Sequence, residues 1–599
     1  MQWNSQVTES IVGALTRSTV RRTSRLTDVI SREVLRLDLL GVIVAVWWFW
    51  QSLSPSLLPR TWIMQGVLSG TSAIVGYFAG WLVSRIVVAL RIHRRFRGRV
   101  SDTLLARLRW ALLVGAIAVS VYVFGVSARQ QEFHWESMDL SGPERFLYSG
   151  VVVITVAICI ATSAATRVVR TLRRKLSARG QHFLPRWIAA GVSTAIVGFA
   201  AFILVNDVLY DGTLALANRS FSISDVHLED DDPDPPQSPL RTAGPGSQVS
   251  WESLGTEGRR FLAYGPSARH ITELSGAPAI EPIRIFVGRA SADRLGKRVD
   301  LLLEEMDRTG AFGRSTIVIN IPTGTGWTNE QNIQPVEYLL GGDTATVSMQ
   351  YSHLPSALAF LSERDEVVDT AKAVLAAIEN RFALLPAASR PALFVVGESL
   401  GAFGGQGAFT DLDDMEARID HALWVGTPGF TAMRKQLEAE RLPGSRQMYP
   451  VVGDGKQVVF AGNHTALEYT RPKIVYLQNA DDPIAWWDPA IATKEPDWMS
   501  EELDPSINPA ISWGRLRTFL QISLDTAVSN SFIEGDGHLY GTLPVTAWDR
   551  MLTDSGWDEI QINALSVRLA KLPNWSASGD AKRLRRDQLA GDGSRDPIP

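Results

Sequence analysis

Cysteine is almost absent: Cys159 is the only one in 599 residues. That excludes an intramolecular disulfide, a Cys-based zinc finger and a CxxC redox site. No cluster of His, Asp and Glu has metal-ligand spacing, so no metal or other cofactor is expected. Net charge is also nearly absent, at −4, but the total hides an asymmetry. Residues 1–210 carry 24 basic against 10 acidic side chains, and the remainder carries 35 against 53. Two halves so different are suited to different surroundings. A hydrophobic share of 45% excludes a wholly disordered chain, and the length allows roughly four units of about 150 residues.

Charge is missing altogether from five stretches of the first half: Leu39–Pro59, Thr61–Ser84, Trp110–Ala128, Phe146–Thr166 and Trp187–Asn206. About 20 apolar residues rising 1.5 Å each cross a bilayer core of about 30 Å, so the stretches predict five spans. The segment LSPSLLP (53–59) would end the first of them early. Arginines crowd the segment before the first span, the loop from Arg91 to Arg109 and the loop from Arg167 to Arg186. Basic loops stay cytoplasmic, so the amino terminus is expected inside and everything after residue 207 outside. The spans hold no Asp, Glu, Lys or His chain of the kind that marks an ion path. The arginines set topology, and nucleic acid is not an expected partner.

The expected organisation is a basic cytoplasmic segment (1–36), a five-helix membrane domain (37–210), an acidic Pro-rich linker (222–250), a catalytic domain (251–575) and a disordered tail (576–599). The linker and tail contain too little apolar surface to offset the entropy of ordering. In the catalytic domain, short β-branched runs at Ile283–Val287, Thr316–Ile321, Ala345–Tyr351, Ala392–Val396, Ala422–Val425 and Ile474–Leu477 alternate with amphipathic stretches such as 366–382. The alternation predicts an α/β class with a doubly wound, mostly parallel sheet.

Chemistry concentrates in PALFVVGESLGAFGG (391–405). A strand runs into Gly397-Glu398-Ser399-Leu400-Gly401 and then into a small-residue stretch able to open a helix. Glycines on both flanks suit a tight strand-to-helix turn with a serine at its tip. A serine nucleophile needs a base, and the base an orienting carboxylate. Both follow in the order that such a turn leads one to expect: Asp482 in NADDPI after the strand KIVYLQ, with Asp481 as the alternative acid, then His538 in GDGHLYG. His464, in GNHTA, is the rival histidine. An oxyanion hole needs two amides; Leu400 supplies one, and Thr323, Gly324 or Thr325, in IPTGTGWTN, the other. No lysine follows those glycines as a phosphate loop would require. Trp486, Trp487 and Trp498 either line an apolar acyl site or pack the core.

The elbow GESLG, the ADDPI acid loop and the GDGHLYG histidine loop, behind five spans, resemble the membrane-anchored α/β-hydrolase family of actinobacteria. The resemblance implies an α/β-hydrolase fold over residues 255–570 and triad roles for Ser399, Asp482 and His538. The expected activity is that of a membrane-anchored, esterase- or lipase-like serine hydrolase acting on a lipid or acyl ester at the extracytoplasmic surface. Two readings compete. One is acyl transfer to a cell-envelope lipid or glycan by the same triad; the other is a non-catalytic membrane scaffold.

Overall fold

The computed structural model describes residues 38–90, 102–138, 147–203, 225, 232–465, 467, 471–552 and 555–572. The basic segment 1–36, the arginines of 91–99 and the tail 576–599 lie outside the described residues. The chain forms two compact units: one from residues within Met1–Ser54, Arg60–Arg129 and Glu144–Val168, the other from Pro55–Pro59, Gln130–Pro143 and Val169–Pro599.

Five helices overlap the five charge-free stretches: Leu39–Ser52, Trp62–Ala89, Asp102–Ser137, Tyr148–Gly180 and Arg186–Ile203. Two of them, Trp62–Ala89 and Tyr148–Gly180, are long and apolar enough to cross a membrane, with mean hydropathies of 1.6 and 2.0. Length and composition therefore support two candidate spans, not the expected five. The first helix shows why one stretch falls short: it stops at Ser52, ahead of the prolines. Its 14 residues reach only about 21 Å. Within the first unit, small residues let helices touch. A Cβ on Gly66 would lie 2.7 Å from Ile154 Cβ, and one on Gly76 2.8 Å from Trp48 Cβ, the close approach that membrane helices also use.

The second unit holds a seven-stranded, wholly parallel sheet. Its strands are β1 (Ile283–Val287), β2 (Thr316–Ile321), β3 (Thr344–Met349), β4 (Ala392–Glu398), β5 (His421–Val425), β6 (Val458–Ala461) and β7 (Ile474–Leu477). Their spatial order is β1-β3-β2-β4-β5-β7-β6. Both faces are covered, which is why the strands read as apolar runs. Ile317, Ile319 and Val395 enter one core; their chain neighbours Val318, Phe394 and Val396 enter the other. Edge strand β6 is absent from the sequence reading; at four residues it gives periodicity little to work with.

Part of the expected linker is packed instead. Arg284 N donates to Leu240 O at 3.2 Å and Thr242 N to Arg284 O at 3.1 Å, so this segment runs beside β1. Arg241, 8% exposed, bonds Glu281 at 3.1 Å and the carbonyls of Leu262, Gly265 and Pro266. Backbone pairing with an edge strand supplies what side-chain composition could not foretell.

Candidate active site

β4 ends in Glu398, and Ser399 follows at φ 55° and ψ −121°, a conformation costly for any residue with a Cβ. The helix Leu400–Gln406 starts at once. The flanking glycines are sterically required. A Cβ on Gly397 would lie 2.7 Å from the carbonyl carbon of Gly401, and one on Gly401 would lie 2.1 Å from Ile321 O. Ser399 N donates to Val425 O at 2.9 Å, fixing the turn against β5.

The loop after β7 carries two buried aspartates with different tasks. Asp482 Oδ2 accepts from His538 Nδ1 at 2.6 Å and from the Tyr540 hydroxyl at 2.7 Å. Its Oδ1 accepts from Ile484 N at 2.8 Å. Asp481 Oδ2 instead accepts from Gly537 N at 3.0 Å, so it braces the histidine loop rather than the imidazole. Burial first, then Asp536 and Asp482, pushes the Asp481 carboxyl well above the usual carboxylate range.

His538 is 4% exposed. Burial pulls its pKa down, but the charge and hydrogen bond of Asp482, with Glu398 adding to them, hold it above the ordinary histidine value. A carboxylate can only accept, so Nδ1 carries the proton toward Asp482 and, in the neutral ring, Nε2 carries the lone pair. Nε2 is buried with no hydrogen-bond partner. The imidazole and the serine share one corner of β5. A Cβ on Gly426 would lie 2.3 Å from His538 Cε1, one residue beyond the carbonyl that holds Ser399 N. No hydrogen bond joins Ser399 Oγ to Nε2; such bonds are often long in unliganded enzymes and tighten around substrate.

Leu400 N stands at the first turn of its helix, where amides have no intrahelical partner. Of the second-amide candidates, Thr323 N donates to Trp327 O at 3.1 Å and Gly324 N to Ser356 Oγ at 3.4 Å. Both amides are thus engaged, one within the turn and one by Ser356. Thr325 N makes no such bond, which leaves it as the available donor in that loop. The rival His464 is half exposed and 3.9 Å from Asp504. Trp486 belongs to the core: it is 4% exposed and its Nε1 donates to Ala480 O at 2.8 Å. Trp498 is buried beside it, with ring centroids 5.8 Å apart. Among the described residues, no group of three or more His, Cys, Asp or Glu could hold a metal ion.

Several groups escaped the sequence reading. Tyr540 and Glu398 lie within the quoted motifs, but nothing in a motif says which polar neighbours turn inward. Glu398 Oε2 accepts from Asn329 and Asn332 at 2.8 and 2.6 Å. Trp487 joins a half-buried aromatic array with Phe360, Phe403, Phe430 and Phe519, with neighbouring centroids 4.7–6.0 Å apart. These rings come from five separate segments, so only folding reveals the array.

A parallel sheet with a serine on a strained strand-to-helix turn, and a His–Asp pair delivered by two later loops, has the architecture of an α/β-hydrolase. Residues 283–565 match the model of an alpha/beta-hydrolase family, and residues 53–266 match that of an alpha/beta-hydrolase family N-terminus. Between them the two matches span most of the chain, which is similar to this alpha/beta-hydrolase family over both parts. No curated protein and no solved structure matches it.

Proposed function

We propose that the protein is a membrane-anchored serine hydrolase that cleaves an ester with an apolar acyl group. The observation that carries this reading is the His538–Asp482 bond at 2.6 Å together with the unpaired Nε2 beside the elbow serine. Nε2 takes the Ser399 proton as Oγ bonds to the ester carbon. Asp482 holds the tautomer and balances the imidazolium. The amides of Leu400 and Thr325 receive the developing oxyanion. The imidazolium then protonates the departing alkoxide. Water, deprotonated by the same nitrogen, bonds to the acyl carbon, and the imidazolium returns the proton to Ser399 Oγ as the acid leaves. The aromatic array supports an apolar acyl group, since such rings offer large contact area at small entropic cost. The two candidate spans support a membrane anchor, and the arginine-rich segments beside the charge-free stretches support a cytoplasmic amino terminus.

The test is labelling of the full-length protein with a fluorophosphonate. Wild type should be modified and Ser399→Ala spared. Absence of labelling in folded wild type would overturn the reading.

A further inference from the structure

Glu398 directly precedes the nucleophile, yet the steps above give it no part. It is 7% exposed, and the donors it accepts from, Asn329 and Asn332, are neutral amides at the start of the helix Glu330–Leu339. A buried carboxylate without a countercharge is costly. The candidate countercharge is near. Glu398 stands in register with Val425, and the next residue, Gly426, is the one on which the His538 ring rests. Glu398 and the imidazole therefore lie against neighbouring residues at the end of β5, where the charge of each acts on the other.

Resting on the hydrolase reading, we propose that Glu398 is a positioning residue: a second buried carboxylate that stabilises the imidazolium formed when His538 takes the serine proton. Asp482 does so through Nδ1; Glu398 does so through space and without a shared hydrogen bond. Among the described residues, other polar groups in this region have contacts of their own. Tyr540 shares the Asp482 oxygen. Asp481 is engaged by Gly537 N, with Asp536 beside it on the histidine loop. On the helix covering Glu398, Glu330 is paired with Arg284, and Gln331 contacts Glu534. Burial raises the Glu398 carboxyl above its ordinary value, against the lowering effects of His538 and the two asparagines. Its negative charge in turn raises His538, so neutralising it lowers the pH at which the base becomes protonated.

The experiment follows the rate of fluorophosphonate inactivation against pH for full-length wild type and Glu398→Gln. Glutamine fits the site because Asn332 Oδ1 has no partner; a flip of that amide presents an acceptor to the new donor. The variant should react roughly tenfold more slowly on the plateau, and its acid limb should fall by about one pH unit, the equivalent of a tenfold change in proton affinity. Asn329→Ala, which strips one donor from the carboxylate and keeps it protonated to higher pH, should shift the limb in the same direction. It also keeps the question open to test if the glutamine variant fails to fold. Glu398→Asp, retaining the charge, should restore the limb. An unmoved limb in a labelled, folded variant overturns the proposal, whatever the uniform loss of rate. Wild type that takes no label at all defeats the hydrolase reading itself.

Discussion

Two buried clusters of charge in the catalytic unit are built from similar parts and finished differently. In the first, Arg284 on β1 directs all five of its N–H groups to oxygens of Glu330, Glu337 and Phe261 O, at 2.6–3.0 Å. Its guanidinium also lies 4.6 Å from the centre of the Phe261 ring. Nothing is left over. In the second, Asp482 is filled by His538, Tyr540 and Ile484, but His538 Nε2 has no partner. Buried polar atoms are almost always satisfied in native structures, so an orphan calls for a reason. On the proposed mechanism the reason is chemical: a partner at Nε2 would occupy the lone pair that is to take the serine proton. The closed cluster ties its elements together; the open one keeps the lone pair that the proposed base requires.

The largest effect expected from breaking this comparison is at Asp482. Asp482→Asn removes the acceptor that fixes the His538 tautomer and should slow fluorophosphonate inactivation by about 10³–10⁴-fold. Asp481→Asn keeps an acceptor for Gly537 N and should stay within several-fold of wild type. It should also melt higher at neutral pH. A carboxyl whose folded pKa is raised binds protons more tightly when folded, so stability falls as pH rises from the unfolded value toward the folded one. Asparagine has no charge to bury. Equal losses in the two variants would mean that the two aspartates do not divide the work as described.

The closed cluster should fail in the other coordinate. Arg284→Ala leaves Glu330 and Glu337 without their countercharge and should cost about 3–5 kcal/mol of stability, seen as a lower midpoint in denaturant. The acid limb of the inactivation profile should not move, since Arg284 is tied to β1 and the helix Glu330–Leu339 and not to His538. A shifted limb in protein that remains folded would show the two clusters to be coupled.

What could be read beforehand follows the same division between local and assembled features. The elbow was legible because its chemistry is contiguous: strand, Gly397, Ser399 and Gly401 occupy one stretch, and each glycine answers a steric demand. Most strands were legible because burial on both faces makes a run of β-branched residues. Asp482 and Asp481 could not be separated in sequence. They are neighbours in one loop, and their tasks depend on whether His538 Nδ1 or Gly537 N arrives at each. Nor could the amide of Thr325 be distinguished from those of Thr323 and Gly324, because the choice rests on bonds to Trp327 and Ser356 that form only with the turn. Edge pairing hid the packing of the 240–242 segment in the same way. In the first stretch, charge-free length overstated the span because it ignores where the prolines stop a helix.

The finest test of the comparison lies at Tyr540, whose hydroxyl competes with His538 for one carboxylate oxygen. Burial and the adjacent Asp482 push this phenol well above its ordinary pKa, so it is a donor across the working range. Tyr540→Phe removes that donor, and with it the acceptor of Asn479 N at 3.3 Å. The lost bond to a charged group should cost about 1.5–3 kcal/mol of stability. Catalysis should respond less, and with an informative sign. Asp482, less satisfied, holds the imidazolium proton more firmly, so the acid limb should rise by a few tenths of a unit, with the plateau within about threefold of wild type. Glu398→Gln should move the same limb downward. If both substitutions lowered it, Tyr540 would be supporting the charge on His538 instead of sharing Asp482 with it, and the second cluster would have to be redrawn with the phenol on the side of the base.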